Sequence, residues 1–89
     1  MNVDKEIILT GGEQIIVMMK HWFYGSWKKF EKDERKKLSK GYPKSTKESA
    51  KSWLEGIKKV REIERKYKVR FVLKETLDRG EKIFYKNVN

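Results

Sequence analysis

Five cations, Lys28, Lys29, Lys32, Arg35 and Lys36, recur at spacings that place them on one side of a helix. At about 100° per residue they span roughly a third of the circumference with no carboxylate among them. Phe23, Trp27 and Phe30 fall on the opposite side. A surface of one sign repels itself and is usually answered by a polyanion. Phosphates repeat along a nucleic-acid backbone, so a row of cations spaced by helical turns can meet several and release their counterions. Lys40, Lys44 and Lys47 extend the row across the following turn. The plain alternative is a solvated face with no ligand.

Other residues offer less. In a hairpin with Phe71, Ile83 and Tyr85 turned inward, Arg70, Val72 and Lys74 share the outer face with Lys82, Phe84 and Lys86. Cations around an exposed Phe84 would make a stacking platform for an unpaired base; a covered Phe84 would be ordinary packing. Trp22, Phe23, Tyr24 and Trp27 read mainly as core. Trp22 and Tyr24 lie off the main stripe, leaving one of them for a partner. His21 is the only histidine and has no carboxylate or thiol placed beside it. Gly11-Gly12 lacks the trailing glycine and lysine of a phosphate loop. Asp33 and Glu34 point about 100° apart on a helix, unlike a paired acid and base. No metal-ligand spacing and no cofactor motif is recognisable, so the expectation is a protein that is not an enzyme.

The elements that position these residues belong to one domain, 1–89, with room for one modest core. Lys plus Arg outnumber Asp plus Glu by 23 to 13, for a net charge of +10. The excess is uneven: residues 1–27 carry two cations and three anions, whereas 28–51 carry ten and four. This balance suits nucleic acid, an anionic membrane surface or an acidic protein. There is no cysteine, which excludes disulfides and thiolate chemistry. The longest apolar run, Ile15 to Met19, is too short to cross a bilayer, and Asp4 and Glu6 argue against a leader. A cytoplasmic setting is expected.

Glu6 to Leu9 reads as a strand. Thr10-Gly11-Gly12-Glu13 has two readings: a hairpin turn leading to a second strand, Gln14 to Met19, or a capping box opening a helix. Residues 14–24 stay open between strand and helix, with strand favoured because Gly11, Gly12 and Gly25 each cost a helix interior about 1 kcal/mol. A helix then runs from about Ser26 to Lys40, ended by Gly41 and Pro43. Ser45 and Glu48 form a second capping box, and Ala50, Trp53, Leu54, Ile57, Val60 and Tyr67 trace the buried face of the helix that follows. Its outer face pairs Glu55 with Lys59 and Glu62 with Lys66. After Lys68 the period changes to two, predicting a C-terminal hairpin that turns at Leu77-Asp78-Arg79-Gly80. The expected class is α+β, with a small antiparallel sheet (N-terminal strand or hairpin plus C-terminal hairpin) packed against two helices. Exposed sheet edges would allow a homodimer.

The run from Gly41-Tyr42 through Thr46-Lys47-Glu48-Ser49-Ala50-Lys51-Ser52-Trp53-Leu54 resembles the start of the bracing helix in arm-type DNA-binding domains of phage and transposon integrases. Only 41–42 and 46–54 carry this likeness; the loop between Gly41 and Thr46 is longer than that pattern, and 28–38 read as helix where strands belong. The order strand, two helices, strands is also similar to the RelE/ParE superfamily of small toxins, some of which cleave mRNA without a metal. Here one hairpin follows the second long helix where that family has three strands. Neither likeness assigns a residue. The reading is therefore a small, basic, non-enzymatic nucleic-acid-binding protein of viral or mobile-element type, with DNA slightly ahead of RNA. Phosphate contacts come from Lys28, Lys29, Lys32, Arg35, Lys36, Lys40, Lys44 and Lys47, with no metal, cofactor or membrane. The alternatives are a module docking on an acidic protein, and a RelE/ParE-like toxin for which Arg79 or Tyr85 would matter.

Overall fold

The computed structural model describes residues 7–76 and 80–88. In chain order they form α1 (Gly11–Met19), a π-helical turn (Lys20–Tyr24), α2 (Trp27–Lys36), α3 (Lys44–Tyr67), β1 (Val69–Thr76) and β2 (Gly80–Asn87). The class is α+β, with a two-stranded antiparallel sheet. The N-terminal strand or hairpin expected from sequence is replaced by helix. Residues 7–10 join no strand, although Ile7 and Leu9 turn inward around an exposed Ile8; Glu6 lies outside the described residues.

The helical outcome at 11–24 follows from where the glycines sit. Thr10 and Glu13 close both halves of a capping box, Thr10 N–H donating to Glu13 Oε1 at 2.9 Å and Glu13 N–H to Thr10 Oγ1 at 3.2 Å. Gly11 and Gly12 occupy the first turn, whose amides have no intrahelical partner in any sequence. Gly25 is not in a helix interior. It ends the π turn at φ 80°, a left-handed conformation that glycine adopts without penalty, and its N–H donates to Lys20 O at 2.6 Å. Helical spacing also buries Ile16 and Val17 together against α3. There Gly56 makes room: a Cβ at that position would overlap Cδ1 of Ile16.

The π turn overturns one further expectation. Its i→i+5 bond widens the helix and retards its phase. Phe23, expected on the buried stripe, is 67% exposed, whereas Tyr24 swings inward and stacks on Phe30 with centroids 4.4 Å apart. Trp27 and Trp53 complete the aromatic packing around the fully buried Phe30. Leu9, Ile16, Val17, Ile57, Val60, Val69 and Phe71 make up the rest of the core cluster.

α2 begins as expected, with Ser26 Oγ accepting from Lys29 N–H at 3.3 Å, but ends at Lys36 rather than Lys40. α3 does not use the Ser45–Glu48 box. Pro43 is the N-cap, its carbonyl accepts from Lys47 N–H at 3.1 Å, and Ser45 lies inside the first turn. Proline's fixed φ already points the chain into the helix, so the start moves two residues upstream. Ala50, Ile57 and Val60 are fully buried and Trp53 and Leu54 partly so, but Tyr67 is exposed. One turn earlier, Glu64 takes the inward position and accepts from Trp27 Nε1–H and Phe71 N–H, each at 3.0 Å. The expected Glu55–Lys59 and Glu62–Lys66 pairs are not among the ion pairs of the described residues. Lys68 closes α3 in a left-handed conformation, φ 54°.

The hairpin pairs Phe71 with Tyr85, Val72 with Phe84 and Leu73 with Ile83. Val69, Phe71 and Leu73 are buried, the first two in the core cluster, which fixes the register because a one-residue slip would expose all three. Gly80 has a left-handed φ of 71°; the other expected turn residues, Leu77, Asp78 and Arg79, lie outside the described residues.

Candidate nucleic-acid interface

On α2 the side facing away from Phe30 carries Lys28, Lys29, Lys32, Arg35 and Lys36, all exposed. Among the described residues Lys28, Lys29, Lys32 and Lys36 have no acid within ion-pair distance. Arg35 lies 4.0 Å from Glu31 while remaining 68% exposed; Glu31 is held more closely by Arg61 of α3, at 2.8 Å. The ridge is therefore cationic along its whole length. Lys40 is exposed in the loop after α2, Lys44 is exposed at the first residue of α3, and Lys47 is half-buried one turn on. No acid occupies the first turn of α3. Two lysines there oppose the positive end of the helix dipole, an arrangement that favours an incoming anion.

The flank of α2 nearest the core behaves differently. Asp33 and Glu34 converge on Lys37 Nζ, at 3.4 and 3.1 Å. Tyr24 OH donates to Asp33 Oδ2 at 2.7 Å and approaches Glu34 Oε2 at 3.5 Å. Glu34 is 3% exposed, and its Oε1 is buried without a hydrogen-bond partner. Burial first, then the bond to Asp33, pushes the Tyr24 phenol up to about 12. The Tyr24 hydrogen bond, with help from Lys37, holds Asp33 below the usual carboxylate range. Lys37 is raised, chiefly by its bond to Glu34. The cluster ties the π turn to α2 and spends its charges internally.

The outer face of the hairpin carries Arg70 opposite Lys86, Val72 opposite Phe84 and Lys74 opposite Lys82. Phe84 is 40% exposed, and Lys74 Nζ sits 5.8 Å from its ring centroid. Four cations thus frame one open aromatic ring. Of the inward set, Phe71 is buried, Ile83 is partly buried and Tyr85 is 41% exposed.

Sequence reading left out Lys20, Arg61, Arg65 and Lys68. A groove between α2 and α3 is lined by Arg35, Lys58, Arg61 and Arg65 together with Glu31 and Glu55. It leads, through the shared Arg61 and Arg65, to a cleft with Lys20, Lys68 and Arg70. Groove and cleft share Arg61 and Arg65, and Glu31, Glu55 and Glu64 stand among their cations. The available signal was the run of Arg and Lys toward the end of α3, which one helical wheel treats as self-paired with neighbouring glutamates.

His21 is exposed. The described residues contain no group of three or more His, Cys, Asp or Glu side chains placed to hold a metal ion. No helix among them is long and apolar enough to cross a membrane. No family model matches this chain, and no match is found among curated proteins or solved structures.

Proposed function

We propose that this chain is a small, non-enzymatic nucleic-acid-binding protein that grips the phosphate backbone through α2, with Lys28, Lys29, Lys32, Arg35 and Lys36 as the main contacts. Lys40, Lys44 and Lys47 assist, and Phe84 offers a stacking surface to an unpaired base. The observation that carries this reading is the α2 ridge, where four exposed lysines have no neutralising acid among the described residues. DNA is placed slightly ahead of RNA.

Fluorescence anisotropy with duplex DNA, single-stranded DNA and RNA at two salt concentrations tests it. Affinity should fall with salt, and Lys32→Glu with Arg35→Glu should flatten the log–log slope by about 2, one unit for each lost phosphate contact. Micromolar binding indifferent to salt would remove the proposal. A second reading, docking on an acidic protein, draws on Trp22 and Phe23, which are 54% and 67% exposed on a chain of net charge +10. Retention of one acidic protein after nuclease treatment, lost on Trp22→Ala, would favour it.

A further inference from the structure

A second anion site stands apart from the α2 ridge. The π turn, the C-terminal end of α3 and the start of β1 border a shallow, open cleft of about 410 Å³. Lys20, Arg61, Arg65, Lys68 and Arg70 line it, with Trp27 and Glu64. Arg61 is engaged by Glu31. Lys20, Arg65, Lys68 and Arg70 have no ion-pair partner among the described residues. The one carboxylate in the lining, Glu64, spends both oxygens on Trp27 Nε1–H and Phe71 N–H. Four cations without an ion-pair partner among the described residues therefore line one shallow surface cleft, and their like charges sum to a locally positive field.

The helix dipole accounts for Arg65 and Lys68, since cations are favoured at a helix C-terminus. It does not account for Lys20 or Arg70, which come from other elements. Lys68 closes α3 in a left-handed conformation and is the only non-glycine residue with positive φ among those described. Glycine is the usual residue there, and a side chain costs about 1 kcal/mol. Lys20 Nζ lies 5.4 Å from the Trp27 ring centroid, held at the cleft rather than free in solvent.

The cleft is sized for a small ligand, not for the convex side of a duplex. We infer that it binds a phosphate monoester, a compact group close to two negative charges at neutral pH with three acceptor oxygens. The group could arrive on a free nucleotide or as the terminal phosphate of a nucleic-acid strand. This site does not depend on the polynucleotide reading.

Calorimetry on the full chain at fixed ionic strength, with adenosine 5′-monophosphate against adenosine, tests the site. One saturable site for the monophosphate and none for adenosine is expected. Affinity should fall about tenfold or more in Arg65→Gln/Lys68→Asn, as the loss of charge-assisted hydrogen bonds implies. It should be unchanged in Lys28→Gln/Lys32→Gln, and should weaken as pH drops below about 6, where the dianion takes up a proton. Asparagine tolerates the left-handed position, and Arg70→Gln provides a second variant that leaves α3 untouched. Equal binding of adenosine, no saturation, or equal loss in the α2 variant overturns the inference. Oligonucleotides with and without a 5′-phosphate separate the two sources: a preference for the phosphorylated end, abolished in Arg65→Gln/Lys68→Asn, identifies strand ends. Equal oligonucleotide binding with the monophosphate still bound identifies free nucleotides. Failure of the polynucleotide reading would show instead as absent duplex binding with monophosphate binding intact.

Discussion

The two faces of α2 both carry lysine and use it in opposite ways. On the outer face, Lys28, Lys29, Lys32 and Lys36 stand in solvent with no acid among the described residues to meet them. On the inner flank, Lys37 is shared by Asp33 and Glu34, and Tyr24 adds a hydrogen bond from the preceding turn. A lysine count cannot separate them. What separates them is whether the charge is already neutralised inside the protein, and only an un-neutralised charge is available to a partner.

Substitutions on the two faces should therefore affect different measurements. Phe30→Ala, which empties the core beneath both faces, should cost about 3–5 kcal/mol in chemical denaturation. Lys37→Met should cost about 2–3 kcal/mol, because it leaves the buried Glu34 carboxylate with much less compensation. It should lower the urea midpoint at unchanged m-value, with salt-dependent binding retained once the folded fraction is corrected for. Tyr24→Phe should cost about 1 kcal/mol by removing one hydrogen bond.

The pH profile of Tyr24→Phe sharpens the comparison. Asp33 has a depressed folded pKa, so its stabilisation is present above the ordinary Asp value and is lost as pH falls through the folded one. Removing the Tyr24 hydroxyl should flatten that acid limb. Tyr24 itself stays protonated to about 12 in the folded state, so stability should fall as pH rises from about 10, the unfolded value, to about 12. The phenylalanine variant should lose this alkaline decline. Lys28→Gln with Lys32→Gln should have the smallest effect on stability, within about 0.5 kcal/mol. It should nevertheless reduce the salt slope of duplex binding by about 2. If the outer variants destabilise and the Tyr24 and Lys37 variants selectively abolish binding, the distinction between the faces fails.

Local pattern was enough for some elements. The start of α2 near Ser26, the apolar spacing of α3 and the alternation of Val69, Phe71 and Leu73 each involve neighbours within a few residues, so the existence of α2, α3 and the hairpin is legible in the sequence, though the end of α2 and the cap of α3 are not. Residues 11–24 read as strand only when glycine carries its full interior cost at Gly11, Gly12 and Gly25, positions that the fold places at helix ends. Phe23 and Tyr24 exchanged roles because a π turn has no local signature and is stabilised by what it lets Tyr24 reach. At the candidate site the same division holds: the cations of α2 were visible on one wheel, and those of the cleft were not, because they come from three elements.

Residue type and helical period by themselves determined that α2 has one cationic side and one aromatic side, and that the chain ends in an amphipathic hairpin. Those are properties of neighbours along the backbone. Tertiary structure alone decided which charges are satisfied: Glu31 reaches across to Arg61, Glu64 to Trp27 and Phe71, and Lys20 comes beside Lys68 and Arg70. Charge compensation depends on distances through space, and these follow from how the helices cross.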